Sequence, residues 1–229
     1  MLKTPYTDRF YSYYSKYISN VLSLRDPQHE SLEIFAKLCD VLSLSKNPDL
    51  KVELEAVHSL FPTLSSFERE FPSFCFALAT GIGKTRLMGA CIAYLRYEKG
   101  IRNFFVMAPN LTIYNKLKSD LGNTSNPKYV FRGLDLFAEP PRIIDGDNYN
   151  DFRQGVFGKN DVVINIFNIA KLNSDSKVKQ GAPARIKRLN EVLGESYFSY
   201  LKSLNDLCIF MDESHHYHAD KSFEVTNYK

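Results

Sequence analysis

The sequence has few cysteines, almost no excess of charge of either sign and no long hydrophobic run. Its cysteines, Cys39, Cys75, Cys91 and Cys208, lie far apart and form no CxxC pair, which excludes a zinc ribbon. Apolar neighbours predict buried, reduced thiols. No window approaches the roughly 18–20 apolar residues that cross a bilayer, and the N-terminus lacks the apolar segment of a signal peptide. These absences predict a cytoplasmic protein with no membrane contact.

Bulk charge does not indicate the partner. The chain of 229 residues contains 29 lysines and arginines against 26 aspartates and glutamates, a formal net charge of +3. This excess is too small to indicate nucleic-acid binding, so such a function has to be argued from local patches. With 44% hydrophobic and 24% charged residues, the composition excludes a disordered or fibrous protein.

The first part of the chain, residues 1–70, is predicted to be a helical extension. Asp26 followed by Pro27 is typical of an N-cap and first turn, and apolar residues then recur at helical spacing. A second helix is predicted at 50–60, before Pro62.

Residues 71–229 have the pattern of an α/β domain. Short apolar runs alternate with helical patterns, which is typical of a mostly parallel sheet. A stretch rich in Gly, Pro, Asn and Asp predicts loops around one short strand. The predicted strands are 74–78, 103–108, 129–132, 161–166 and 207–211, and the predicted helices are 84–98, 111–121 and 184–204.

The strongest motif is a glycine loop between a predicted strand and a predicted helix. Glycines let successive backbone N–H groups curl around a phosphate chain, and the helix N-terminus adds partial positive charge. Lys84 would then reach the β- and γ-phosphates, and the Thr85 hydroxyl would ligate Mg²⁺. Leu78 stands where the strict pattern has glycine. The loop reads Ala79-Thr80-Gly81-Ile82-Gly83-Lys84-Thr85.

A second motif, the acidic pair Asp212 and Glu213, follows the predicted strand 207–211. In a phosphate-loop protein, carboxylates at the carboxyl end of a parallel strand can reach the metal and the γ-phosphate. Asp212 suits a Mg²⁺ contact, usually through water, and Glu213 suits orienting or deprotonating the attacking water. Together with the glycine loop, the pair predicts a nucleotide hydrolase.

These motifs resemble those of superfamily 2 helicases and translocases of the DEAD/DEAH-box type, and most closely the Res subunit of type III restriction enzymes. That superfamily often lacks the leading glycine, which accounts for Leu78. The resemblance runs from about residue 24 to 218. Its elements are motif I at 80–85, motif Ia at 107–111, motif Ib at 163–168, motif II at 212–215 and a glutamine-containing element, Arg25-Asp26-Pro27-Gln28.

The resemblance implies a RecA-like P-loop NTPase domain that uses ATP and Mg²⁺. It assigns catalysis to Glu213 and Lys84, and Mg²⁺ to Thr85 and Asp212. His215 is implied to couple the ATP site to a partner domain. The nucleotide-binding residues that it implies are Gln28, Thr80, Gly81, Ile82, Gly83, Lys84, Thr85 and Arg86.

The resemblance also implies DNA as a partner, gripped by motifs Ia and Ib through loop hydroxyls, amides and a helix N-terminus. Between 171 and 188 lie six basic residues against Asp175 alone, which is either a groove wall for nucleic acid or a solvated face. The implied nucleic-acid contacts are Pro109, Asn110, Thr112, Phe167 and Asn168.

The chain stops at Lys229, shortly after motif II, so we expect an N-terminal fragment with an incomplete sheet. The resemblance implies a second RecA-like domain with an arginine finger and a methyltransferase (modification) subunit as partners of the full-length protein. An arginine finger contributes on the order of 10³–10⁵ in rate in related hydrolases. We therefore expect these residues to bind Mg·ATP weakly and to hydrolyse it hardly at all.

Three alternatives remain open at the level of sequence. One is an RNA or DNA helicase outside restriction. Another is a small-molecule P-loop kinase, which would need a lid and an acceptor pocket instead of motifs Ia and Ib. The third is an interaction module that binds nucleotide without turnover.

Overall fold

The computed structural model describes residues 13–146, 148, 162–168 and 197–212. None of the described helices is long and apolar enough to span a bilayer. The helices in these ranges are α1 (Tyr13–Val21), α2 (Asp26–Val41), α3 (Leu50–Leu60), α4 (Lys84–Lys99), α5 (Leu111–Gly122) and α6 (Tyr197–Ser203). The strands are β1 (Asn103–Ala108), β2 (Arg142–Ile144), β3 (Val163–Asn168) and β4 (Leu207–Met211).

The described strands form one open sheet in the order β2-β3-β1-β4, and every pairing is parallel. Phe104 of β1 pairs with Ile164 on one side and with Cys208 on the other, so the three strands run level. The predicted α/β class with a parallel sheet is confirmed. Because these parallel strands end at the same level, the residues that follow β1, β3 and β4 lie at the carboxyl edge of the sheet.

The inner strands β1 and β3 are covered on both faces, which is why they read as apolar runs, whereas the edge strand β4 exposes Ile209 and Met211. Successive residues of a strand point to opposite faces. Phe104 and Val106 lie in the main core, together with buried residues of α4 and α5. Phe105 points to the other face, where it packs with Phe167 and with Tyr197 of α6.

The N-terminal helices share the main core. Ile18 of α1, and Leu32 and Ala36 of α2, are buried with the apolar residues of α4. Tyr17 and Tyr97 both donate hydrogen bonds to the Asp135 carboxylate, the Tyr17 bond at 3.2 Å, and the Tyr97 hydroxyl holds the pKa of Asp135 below its usual range. The domain boundary at residue 70 stays a prediction.

The predicted strand at 74–78 is wrong, because no strand pairing of the described residues includes it. Its aromatic side chains pack against a helix and a loop instead. Phe74 packs edge-on against Phe67, with ring centroids 5.8 Å apart, and Phe76 packs against Phe35 of α2 at 6.2 Å. An apolar run indicates burial, and its side chains can be buried without a hydrogen-bonded neighbouring strand.

Other boundaries also differ from the predictions. The predicted short strand at 129–132 is a turn that buries Tyr129 and Phe131, and the short strand lies at β2 instead. Helix α2 starts at Asp26, so its N-cap is Arg25. Of the helix predicted at 184–204, the described part is α6.

The cysteines are only partly as predicted. Cys39 and Cys91 are buried, Cys208 is half-buried and Cys75 is exposed. Burial raises the pKa of the Cys39 and Cys208 thiols to about 12, so both stay protonated and unreactive at neutral pH. Cys75 differs because it lies in the unpaired segment 74–78.

Gly89, in the middle of α4, allows the helix to approach the turn at Val130. A methyl group on Gly89 would lie 2.7 Å from Val130 Cγ2 and 2.8 Å from Val130 Cβ. We expect Gly89→Ala to lower the free energy of unfolding by about 1–3 kcal/mol, although alanine is the better helix former. Urea denaturation measures this. Gly146→Ala is the control, because a methyl group there meets nothing within 4 Å, and a Gly89→Ala protein as stable as the native one would contradict the packing.

Candidate functional site

The glycine loop has the backbone conformation that its glycines predict. Gly81 has φ +82° and Gly83 has φ +95°, a left-handed region that favours glycine. Gly83 directly precedes α4, so Lys84 and Thr85 form the first helical turn. A side chain at Gly81 would meet no heavy atom within 4 Å. The loop is therefore open at the N-terminus of a 16-residue helix, which fits a bound phosphate chain.

The Thr85 hydroxyl already accepts a hydrogen bond from a cation. Lys116 of α5 donates from Nζ to Thr85 Oγ1 at 2.7 Å and lies 3.1 Å from Asp120 Oδ2. Mg²⁺ is held in such sites by one or two protein oxygens together with substrate phosphates, so Thr85 fits the metal that the motif implies. The sequence motifs missed Lys116, whose one signal was its spacing of four residues from Asp120 on a helix.

Gln28 clamps the glycine loop from α2. Its Nε2 donates to the Gly83 carbonyl at 2.9 Å, and its Oε1 accepts from the Arg25 backbone N–H at 2.9 Å. Arg25 Nη1 donates to the Gly81 carbonyl at 3.3 Å. Gln28 is 2% exposed and its two bonds are part-buried, whereas the bond from Arg25 to Gly81 is exposed. Its reading of adenine stays a prediction.

Arg86 ties the same loop to the N-terminal helices. Its Nη1 donates to the Leu22 carbonyl, just beyond α1, at 2.9 Å. This bond joins residues that are 64 positions apart, so no local pattern could indicate it. The implied contact of Arg86 with nucleotide stays a prediction.

Removing the Gln28 amide should loosen this clamp. We expect Gln28→Ala to lower the free energy of unfolding by about 1–2 kcal/mol, because the part-buried hydrogen bonds to the Gly83 carbonyl and from the Arg25 N–H are lost together. Chemical denaturation measures the change. Glu30→Ala, at an exposed position of the same helix, should change stability by less than about 0.5 kcal/mol. Equal stability of the two variants would contradict the clamp.

The carboxyl edge of the sheet gathers the remaining motifs. The Asp212 backbone N–H donates to the Met107 carbonyl at 3.1 Å, which fixes the start of motif II beside motif Ia. Ala108 pairs with Asn168, which places the end of motif Ib at the same edge. Glu213 and His215 lie outside the described residues.

The implied nucleic-acid residues differ in what their side chains do. Asn110 caps α5, because its Oδ1 accepts from the Ile113 N–H at 2.9 Å, and Thr112 is exposed on the first turn. Asn168 is buried, and Pro109 is half-buried.

Phe167 is a core residue. It stacks on Phe105 with centroids 5.5 Å apart and is 3% exposed. Its ring packs between the sheet and α6, and the implied contact with nucleic acid at this position stays a prediction. The basic stretch at 171–188 lies outside the described residues.

The sequence model of the family described as "Type III restriction enzyme, res subunit" matches residues 21–229. The chain belongs to this family. Membership confirms the resemblance inferred from the motifs and, with the parallel sheet, the RecA-like P-loop fold class.

A curated relative, the probable type III restriction-modification enzyme HindVIP Res subunit of Haemophilus influenzae, is 27% identical over 147 residues. The match covers 63% of this chain and 24% of that protein, so the chain spans about a quarter of the relative's length. No solved structure matches the chain significantly. Family and relative together support a helicase-like ATPase.

Proposed function

We propose that this chain is the ATP-binding half of a DNA-dependent ATPase and translocase of a type III restriction system. The observation that carries the proposal is the glycine loop, with two left-handed glycines at the N-terminus of α4 and a backbone held by Gln28 and Arg25. A loop fixed from outside keeps its amides aligned for a phosphate chain before the ligand binds, which lowers the entropy lost on binding.

The residues divide the work of nucleotide binding and hydrolysis. The loop amides and Lys84 would bind the phosphates, and Thr85 and Asp212 would hold Mg²⁺. A bound Mg²⁺ would neutralise charge on the β- and γ-phosphates. Glu213 orients the attacking water and accepts its proton.

DNA contacts are proposed at the carboxyl edge of the sheet. The N-terminus of α5, with Thr112 on its first turn, follows β1, and Phe167 and Asn168 end β3 at the edge where Asp212 follows β4, so a strand gripped at this edge would lie near the proposed metal ligand. Movement along DNA would need a second RecA-like domain, and His215 would couple the ATP site to that domain. A methyltransferase subunit would recognise the DNA site.

Phosphate release measured on the full-length protein tests this function. Duplex DNA is expected to stimulate turnover, and single-stranded RNA of equal length is the comparison. Stimulation by RNA alone would favour a helicase outside restriction, and nucleotide binding without turnover would favour an interaction module. Steady turnover by the present 229 residues would contradict the need for a second domain.

A further inference from the structure

Lys116 occupies an unusual position for a helix-surface lysine. Its ammonium lies between the Thr85 hydroxyl, at 2.7 Å, and the Asp120 carboxylate, at 3.1 Å. Asp120 is anchored in turn by Asn126, whose Nδ2 donates to Asp120 Oδ1 at 2.9 Å. The lysine side chain is 49% exposed, whereas the Asp120 side chain is 6% exposed, so the carboxylate is fixed and the ammonium is free to move around it.

We propose that Lys116 competes with the divalent cation for the Thr85 hydroxyl and thereby sets how much free Mg²⁺ the site requires. This inference rests on the proposed nucleotide site. A Mg²⁺ ligand lies about 2.0–2.1 Å from the metal, so an ammonium and a metal on the same oxygen would bring two positive centres within a few ångströms. The metal can take Thr85 only when Lys116 withdraws, and Asp120 offers the position to which it withdraws.

The neighbouring lysine on α5 cannot play this part. Lys118 is paired with Asp145, a buried carboxylate that follows β2, and its Nζ lies 5.6 Å from the centre of the Tyr114 ring. The hydrogen bond that Thr85 Oγ1 accepts comes from Lys116.

The competition makes two predictions of opposite sign. Without divalent cation, Lys116 leaves a positive charge at the loop, so removing it should weaken binding of metal-free nucleotide. With divalent cation, removing it frees Thr85, so less Mg²⁺ should be needed. A role in packing or stability alone would move both affinities in the same direction.

The experiment measures binding of mant-ADP by fluorescence anisotropy, first in EDTA and then across a Mg²⁺ titration. We expect Lys116→Met to weaken binding in EDTA by about fivefold to tenfold and to lower the half-saturating Mg²⁺ concentration by a similar factor. Lys128→Met removes an exposed lysine of equal charge and should leave both quantities unchanged.

A second variant keeps the test possible if Lys116→Met does not fold. Lys116→Met leaves the buried Asp120 without its cation, whereas Lys116→Met combined with Asp120→Asn removes both charges and keeps the amide partner Asn126. Circular dichroism checks both. A lowered Mg²⁺ requirement in either folded variant supports the competition.

Two results would overturn the competition, and they are distinguishable. Binding of mant-ADP that requires Lys84 but has the native Mg²⁺ requirement in both variants would overturn the role of Lys116 alone. Absence of mant-ADP binding to the native chain would overturn the proposed nucleotide site as well.

Discussion

Replacing Glu213 by glutamine in the full-length protein is expected to abolish ATP turnover while ATP binding stays close to native. The amide keeps the size of the side chain but cannot accept the proton of the attacking water, and general-base catalysis of this kind contributes about 10²–10⁴ in rate. Phosphate release gives the rate, and calorimetry with Mg·ATP gives the affinity.

Glu55→Gln is the matched control, because it makes the same change at an exposed position of α3. We expect its turnover to be native. Equal turnover of Glu213→Gln and the native protein would refute the assignment of the water-activating role to motif II.

Replacing Lys84 by alanine is expected to weaken Mg·ATP binding by about 100-fold, about 2.7 kcal/mol. This is the range of a charge-assisted hydrogen bond whose donor is removed from a bound phosphate. Lys84 lies in the first turn of α4, directly after the left-handed Gly83, so its side chain starts at the open loop. Calorimetry with the native and variant chains measures the difference.

The control for Lys84 is Lys128→Ala, which removes the same charge from an exposed loop. It should bind Mg·ATP with native affinity, and circular dichroism should show that all three proteins are folded. Native affinity in Lys84→Ala would mean that the glycine loop does not hold phosphates.

The sequence correctly predicted the elements whose apolar or capping residues have the role in the fold that their pattern indicates. The run that became β1 is apolar because this strand lies inside the sheet and is covered on both faces. Helix α3 matches its predicted bounds because Asp49 caps it through the Lys51 and Val52 amides. The segment 74–78 shows the opposite case. Its residues are apolar, but Phe74 and Phe76 pack against Phe67 and Phe35 without any strand pairing.

Some features of the candidate site could also be predicted from the sequence, and others could not. Gly81 and Gly83 could be predicted because a left-handed backbone restricts the residue type, so the constraint is visible in the sequence itself. The bonds of Lys116 to Thr85 and of Arg86 to Leu22 join residues 31 and 64 positions apart. They depend on how α5 and α1 pack against α4, and lysine and arginine on a helix surface carry no signal of such a partner.

Hydrogen–deuterium exchange of the chain with and without Mg·ATP tests most directly whether the glycine loop is the nucleotide site. The account predicts slower exchange in peptides covering 79–87 and 24–29, because the phosphate chain would occupy the loop amides and tighten the Gln28 clamp, with 50–60 unchanged. The internal control is hydrogen exchange around an open cavity of about 300 Å³, which is lined by Thr124, Tyr129, Arg132 and neighbouring residues. Protection confined to 124–138, with the glycine loop exchanging as before, would contradict the assignment of ATP to motif I.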